Sequence, residues 1–471
     1  MSGLIRAKVY ALILGTDGVG IVSQIIYFSG LVCFIGTIGL PLGLIKYVSE
    51  WEKNNEWERI TTVINNFVTL LFIIGIIFSF VVISFSASIS DAFLNNTKYT
   101  VLIILIAISF PFSFGSSIME AFLKGIKKFK LYVFVTVLTS SVSVILTVLL
   151  VLSNEITGAV MALLLNSIFS FVFYIVLLYK KKIIKLRIGI RFNVLNETKL
   201  VFVIGAASLL VGIVEQSNLL SIRTILIKVL GADSNGIYQS VASISNNYLN
   251  LFFLSLSTYS LPILSELKKA NSINEELNSI FRFAVLFIVP VIAITFVFRG
   301  ILILVLYSNS FLPAKDLMLY SFAGDFFKAL TWVFGAWLIP ASRIKLWTII
   351  AVFYNLFYFT AFYFLIQHNY NLYSVVFAYM LTNIVVCLIS FYYLRKLNSF
   401  RFKKINFDSL LFSVIYLTVV FTASELNDVY GYIIIMPLTY IWVKLSVKNE
   451  EIKKLYLLVS SKLSKFLLKS N

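Results

Sequence analysis

The chain has 471 residues, of which 60% are hydrophobic and only 13% charged, with a mean hydropathy of +0.95 and a formal net charge of +18. Soluble globular domains carry about a quarter charged residues, so the composition excludes that class and predicts an all-α, polytopic membrane protein. The single histidine and two cysteines, Cys33 and Cys387 in apolar stretches, exclude a disulfide framework, a paired-histidine zinc site and a Ser-His-Asp arrangement. No catalytic constellation remains, and the chain reads as a non-enzyme without a metal or organic cofactor.

Apolar runs long enough to cross a ~30 Å hydrocarbon core as helices follow one another from end to end. They predict thirteen full spans, at 21–46, 63–90, 98–123, 131–153, 156–179, 200–222, 236–262, 281–306, 317–341, 346–366, 371–394, 408–426 and 429–447. Ahead of the first, Leu4 to Leu14 has helical character but is too short to cross alone. Beyond the last, Ile452, Leu455, Tyr456, Val459, Leu463, Phe466 and Leu467 share one helical face from which the lysines are absent. That pattern predicts a helix lying on the inner leaflet, held by anionic lipid and apolar burial.

Lysine and arginine alternate with the connections. The loops 46–59, 124–130, 180–199, 268–282, 343–345 and 395–404, with the tail from Lys444, hold 31 of the 39 basic residues. Those connections are predicted to be cytoplasmic, and the short loops between them, with hardly any positive excess, to be external. The same dispersal argues against nucleic acid as a partner, since the basic residues never gather in one patch.

LGTDGVGI at residues 14–21 returns as LGADSNGI at 230–237, 216 residues later. The same offset carries Ser49 and Glu50 onto Ser265 and Glu266, Lys53 onto Lys269, Asn55 onto Asn271 and Lys127 onto Arg343. Six crossings intervene, so the copies have the same orientation. This predicts a parallel repeat of two six-helix bundles about an axis along the membrane normal, with a cleft that can open to either side. The division is 1–199 for the N-terminal bundle, 200–397 for the second bundle, 398–447 for an additional transmembrane helix pair and 448–471 for the basic amphipathic tail. Leu200 to Ile222 precedes the second octet, so a comparable helix is expected before the first; as written, that first helix is incomplete.

LGTDGVGI before a span, GTIGLPLGLIKYVSE at its end and LKGIKKFKLY between the fourth and fifth crossings together resemble the Wzx-type polysaccharide flippases. These belong to the multidrug/oligosaccharidyl-lipid/polysaccharide exporter superfamily. The resemblance implies twelve core helices in two bundles, with Asp408 to Val447 as an extension. It also implies transport of an undecaprenyl-pyrophosphate-linked oligosaccharide from the cytoplasmic to the outer leaflet of a bacterial inner membrane. The partners implied are lipid-linked oligosaccharide, membrane lipids, a polysaccharide polymerase and glycosyltransferases.

A pyrophosphate headgroup needs a polar path, because an unpaired charge in hydrocarbon costs at least ~3 kcal/mol on insertion scales. Arginine holds such oxygens bidentately and lysine as a point charge. Arg6 and Arg223 stand nine and eight residues before Gly15 and Gly231, at similar depth in the two copies, and either face a shared cavity or snorkel to headgroups. Lys46 and Lys228 occupy places where the resemblance implies a basic side chain, Lys46 either facing the cavity or serving as one more cytoplasmic anchor, and Lys228 either a ligand or a residue of the outer rim. Asp325 and Lys328, three apart in an apolar span, share a helix face and either neutralise each other or serve substrate and ion. Glu215 is the least compensated acid and, with Asp325, a candidate for proton or sodium coupling. Arg6, Lys46, Arg223, Lys228 and Lys328 are therefore the expected substrate ligands.

GTDGVG invites a nucleotide-binding reading, but its spacing is GxxGxG and no strand precedes it. A peptidoglycan-precursor lipid flippase makes the same demands as the leading reading. An ion-coupled exporter of small cations would present buried acids without buried cations. A membrane polysaccharide polymerase would need a long external loop or an acidic cluster, and the outer loops are short.

Overall fold

The computed structural model describes residues 2–181, 195–266, 270–369 and 371–446, and every regular element in them is helical. The expected surface helix of the tail, most of the basic loop after Lys181, and Lys268 and Lys269 lie outside the described residues. Among the described residues, ten helical segments are long and apolar enough to cross a membrane.

In chain order, α1 (Ser2–Ile13) is followed by α2 (Gly15–Gly36), α3 (Leu40–Lys53), α4 (Trp57–Ser84) and α5 (Ser86–Leu94). Next come α6 (Thr100–Ile108), α7 (Phe110–Gly125) and α8 (Phe129–Lys180). Then follow α9 (Leu195–Leu230), α10 (Ala232–Glu266), α11 (Ala270–Val297), α12 (Arg299–Leu306) and α13 (Ala314–Gly335). The chain continues with α14 (Ile344–Asn369), α15 (Tyr373–Asn398), α16 (Lys404–Leu426) and α17 (Asp428–Ser446).

At 1.5 Å per residue a straight α8 would be about 78 Å long, far more than a bilayer needs. It turns instead at Asn154 and Glu155, whose φ is 46°, and Gly158 returns against the Leu150 carbonyl. Helix α8 thus supplies two of the expected spans. The helices α10 and α13 supply two more, although their serines, asparagines and charged residues keep them out of the ten most apolar segments. With these, the thirteen expected spans are accounted for among the described residues.

Four of the expected spans are interrupted in ways that hydropathy does not register: 63–90 passes from α4 to α5 at Phe85, 281–306 passes from α11 to α12 at Phe298, and two more break as follows. The stretch 21–46 is divided between α2 and α3: Thr37 Oγ1 donates to the Cys33 carbonyl (2.8 Å), Ile38 and Gly39 are left-handed, and Pro41 opens the next helix. The stretch 98–123 is interrupted at Ser109, just before Pro111, which has no N–H to continue a ladder. Pro290 and Pro262, by contrast, lie inside helices that continue past them.

The chain forms two compact units. The first contains the described residues up to 242 with Ile303–Ala314 and Ile344–Ala378. Its core is an aromatic and aliphatic stack of Ile64, Phe67 and Leu71 on α4 with Phe110, Phe114, Ile118 and Phe122 on α7, all buried. In lipid the apolar surface itself drives little association, so close side-chain packing of this kind carries the stability. The second unit contains Ser243–Leu302, Lys315–Arg343 and residues from 379 onward. There α16 and α17 are fastened to α11 and to the start of α12. Asn406 Nδ2 donates to the Asn278 carbonyl (2.8 Å), Arg282 donates to the Ser446 carbonyl (2.8 Å), and the buried Arg299 pairs with Glu425 (2.8 Å). Lys315 meets Asp428 at 2.6 Å, and Asp428 stands 3.9 Å from Arg299.

Candidate functional site

The two octets of the repeat come together. Gly15 and Gly231, with φ of +66° and +88°, make the turns that admit α2 and α10, a conformation that costs little only without a Cβ. Five residues on, Gly20 and Gly236 bring those helices into backbone contact. A Cβ on Gly20 would stand 2.0 Å from the Ala232 carbonyl oxygen, and one on Gly236 would stand 1.9 Å from the Thr16 oxygen. The contact is reciprocal: Ala232 stands to Thr16, and Gly236 to Gly20, at the repeat offset. Thr16 Oγ1 also donates to Asp233 (2.5 Å), so the two helices are bonded where they begin.

Arg223 is fastened to this crossing. It is only 1% exposed, and its guanidinium lies 4.1 Å from the Tyr27 ring centre on α2 and 4.9 Å from that of Tyr238 on α10. Its Nη1 donates to Asn235 Oδ1 (3.0 Å), and Asn235 Nδ2 donates to the Gly20 carbonyl (2.7 Å). The charge is thus stacked and hydrogen-bonded, which makes its burial tolerable. Arg223 Nε has no hydrogen-bond partner among the described residues, so one donor of the fork is unused. Tyr238 and Tyr358 share a hydrogen bond of 3.1 Å behind it, and Gln24 donates to Thr224 (2.7 Å), tying α2 to α9.

Arg6, expected at an equivalent depth, is half-buried and donates to Ser143 on α8 (3.1 Å). Among the described residues no contact joins it to Arg223. Lys8, on the same helix, caps the end of α12 through the Leu304 and Tyr307 carbonyls at 2.7 and 2.5 Å, a favourable place for a cation. Lys46, Glu215 and Lys228 are exposed, and the Lys46 ammonium lies 5.4 Å over Tyr47.

A second polar centre lies in the other unit. Asp325 on α13 is completely buried, and three hydroxyls donate to it: Ser245 (2.6 Å) and Tyr248 from α10, and Tyr379 (2.7 Å) from α15. Ser321 stands 3.2 Å from Ser245, completing a ring of oxygens. Among the described residues Asp325 forms no ion pair. Lys328, half-buried one turn along, lies instead 5.5 Å over the Tyr379 ring. Asp325 and Lys328 are therefore close without forming a direct salt bridge.

Sequence reasoning picks out Arg223, Asp325 and Lys328 because charges in apolar runs stand out. It misses Asn235, Tyr27, Tyr238, Tyr248 and Tyr379, which are ordinary in composition. Only Asn235 leaves a trace, as the polar residue that replaces Val19 at the repeat offset.

Comparison with known proteins places this architecture. The chain is 24% identical over 361 residues to the lipid III flippase of Escherichia coli (strain K12), covering 74% of this chain and 84% of that protein, and equally to the lipid III flippase of Shigella flexneri. Among solved structures, an inward-facing multidrug resistance MATE family transporter of the MOP superfamily superposes with a TM-score of 0.75 at 13% identity, over 84% of this chain and 94% of that one. The lipid II flippase MurJ, in an inward closed conformation, superposes with a TM-score of 0.73 at 18% identity, over 95% and 97% of the two chains. The family described as polysaccharide biosynthesis protein matches residues 9–316, well over half the chain, and the protein belongs to that family.

Proposed function

We propose that the protein moves a lipid-linked anionic oligosaccharide from the cytoplasmic to the outer leaflet of a bacterial inner membrane by alternating access. It acts as a transporter, with the lipid-linked glycan and surrounding lipids as partners, and with a polymerase and glycosyltransferases acting on the same glycan. The observation that carries this reading is the presence of cations within the spanning helices: Arg223 fully buried with one unused donor, and Lys328 half-buried beside a buried carboxylate. Such charges are retained in a membrane where they serve a path, and their excess over unpaired buried acids favours an anionic cargo. Relatives named as lipid III flippases support the lipid-linked class.

Coupling to a proton or sodium ion is assigned to Asp325, because a buried carboxylate ringed by hydroxyls and without an ion pair is a hard-oxygen site for a small cation. Glu215, being exposed, is the secondary candidate. Arg223, stacked at the octet crossing, reaches a substrate only when that crossing loosens; Arg6, Lys46 and Lys228 are the remaining ligands of the anionic headgroup.

The test is a strain lacking the gene. It should accumulate lipid-linked glycan on the inner leaflet, and plasmid copies carrying Arg223→Ala or Lys328→Ala should fail to restore surface polysaccharide at equal protein abundance. No accumulation in the deletion strain would remove the function. Accumulation of a peptidoglycan precursor instead would select the alternative cargo.

A further inference from the structure

Asp325 and Lys328 both contact one side chain, Tyr379. The Tyr379 hydroxyl donates to Asp325 (2.7 Å), while the face of the same ring lies beneath the Lys328 ammonium, 5.5 Å from its centre. The ring is seated by α13 itself. A Cβ on Gly324 would stand 2.7 and 2.8 Å from two Tyr379 ring carbons and 3.2 Å from the Met380 Cα, so only glycine lets α15 approach this closely. Three residues within one turn of α13 therefore hold the phenol: Gly324 at its edge, Asp325 at its hydroxyl and Lys328 on its face.

We propose that Tyr379 is a positioning residue that links occupancy of Asp325 by a monovalent cation to the affinity of Lys328 for a diphosphate. The proposal rests on the reading of Asp325 as the cation site and Lys328 as an anion ligand. While Asp325 is a free carboxylate, it demands the phenol hydrogen bond, and the ring is held where its negative face offsets the ammonium charge. A sodium ion or proton on Asp325 removes that demand, because the carboxylate is then neutralised. Tyr379 is released, the ring leaves Lys328, and the ammonium is free for a phosphate oxygen. By linkage, an anion on Lys328 tightens cation binding by the same factor. The titratable and charged groups facing the carboxylate are Tyr248 on α10, Tyr379 on α15 and Lys328 on α13; the hydroxyls of Ser245 and Ser321 complete its surroundings.

The experiment is calorimetric titration of the purified full-length protein in nanodiscs with inorganic pyrophosphate, comparing sodium with choline at fixed pH, and two pH values in choline. The expected result is an affinity about tenfold higher in sodium, or about tenfold higher at the acid pH where the proton is the occupant. Tyr379→Phe keeps the ring but loses the hydroxyl, and should reduce the rise to about twofold, the part left to direct Coulombic attraction, in a protein whose cooperative thermal transition shows it is still folded. Gly324→Ala, which displaces the ring, should uncouple in the same way, and Asp325→Asn should bind tightly in every buffer. A full tenfold rise in Tyr379→Phe, or no cation dependence in the wild type, overturns the link. Undiminished pyrophosphate binding by Lys328→Gln, or no binding by the wild type, overturns instead the anion-site reading on which it rests.

Discussion

The crossing of the two octets should behave as the outer gate. Alanine at Gly236 would place a methyl 1.9 Å from the Thr16 oxygen and 3.1 Å from the Gly20 nitrogen, both backbone atoms with no rotamer to turn away. To restore an ordinary separation of 3.4 Å, α2 and α10 must part by about 1.5 Å at this point. Overpacking of this kind costs about 1–3 kcal/mol, and the parting also stretches the 2.7 Å bond from Asn235 to the Gly20 carbonyl, worth about 0.5–1.5 kcal/mol. A bias of about 2 kcal/mol against the closed crossing shifts its population roughly thirtyfold. The assay is labelling by an impermeant thiol reagent from outside, with Cys33 and Cys387 replaced and Ser240→Cys introduced one turn beyond Gly236, at a site that is fully buried. Gly236→Ala should raise the labelling rate of that cysteine about ten- to fiftyfold. A cysteine at Ser90, equally buried but on α5, should stay protected and so exclude general unfolding. Unchanged labelling together with wild-type transport would refute the gate.

Arg223→Lys should be poorly tolerated although charge is conserved. An ammonium cannot stack as a plane between Tyr27 and Tyr238 while reaching Asn235, so about 1–2 kcal/mol of stability should be lost, read as a fall in the thermal midpoint in detergent. Arg299→Ala should loosen the outer turn between α16 and α17 by about 1–2 kcal/mol, a figure kept low because Glu425 is 38% exposed and water screens it. Limited proteolysis at Asn427 should report this as faster cleavage, with glycan export little affected; equal cleavage rates would show that the remaining contacts of the helix pair suffice.

Most of the spans were legible because the bilayer imposes one requirement, a long apolar helix, that hydropathy measures directly. The breaks at Thr37–Gly39, Phe85, Ser109 and Phe298 were not, since they fall within stretches that remain apolar. At the site, Asp325 and Lys328 announced themselves by charge, and spacing three apart allowed either direct neutralisation or roles toward substrate and ion. The helices α10 and α15 outbid that pairing with three hydroxyls, and which hydroxyls a neighbouring helix presents is a matter of packing that one helix cannot disclose. Arg223 was visible for the same reason as Lys328, whereas its stacking partners, two tyrosines among 25, carried no distinguishing pattern.

The repeated octet has a further consequence for how the two glycines act together. Each would-be methyl strikes the opposite helix at the equivalent carbonyl, Thr16 for Gly236 and Ala232 for Gly20, so the contact is self-complementary in the manner of a two-fold interface. Both clashes are relieved by one movement, the separation of α2 from α10 by about 1.5 Å. Once Gly20→Ala has forced that separation, Gly236→Ala meets helices already apart. The double variant should therefore cost little more than either single one, a coupling of about 1–2 kcal/mol that favours the pair, in place of the sum expected of independent sites. Thermal midpoints of the four proteins close the cycle. Additive losses would mean that the two halves yield separately, and that the octets are two turns that happen to touch; sub-additive losses identify one shared hinge made from both copies.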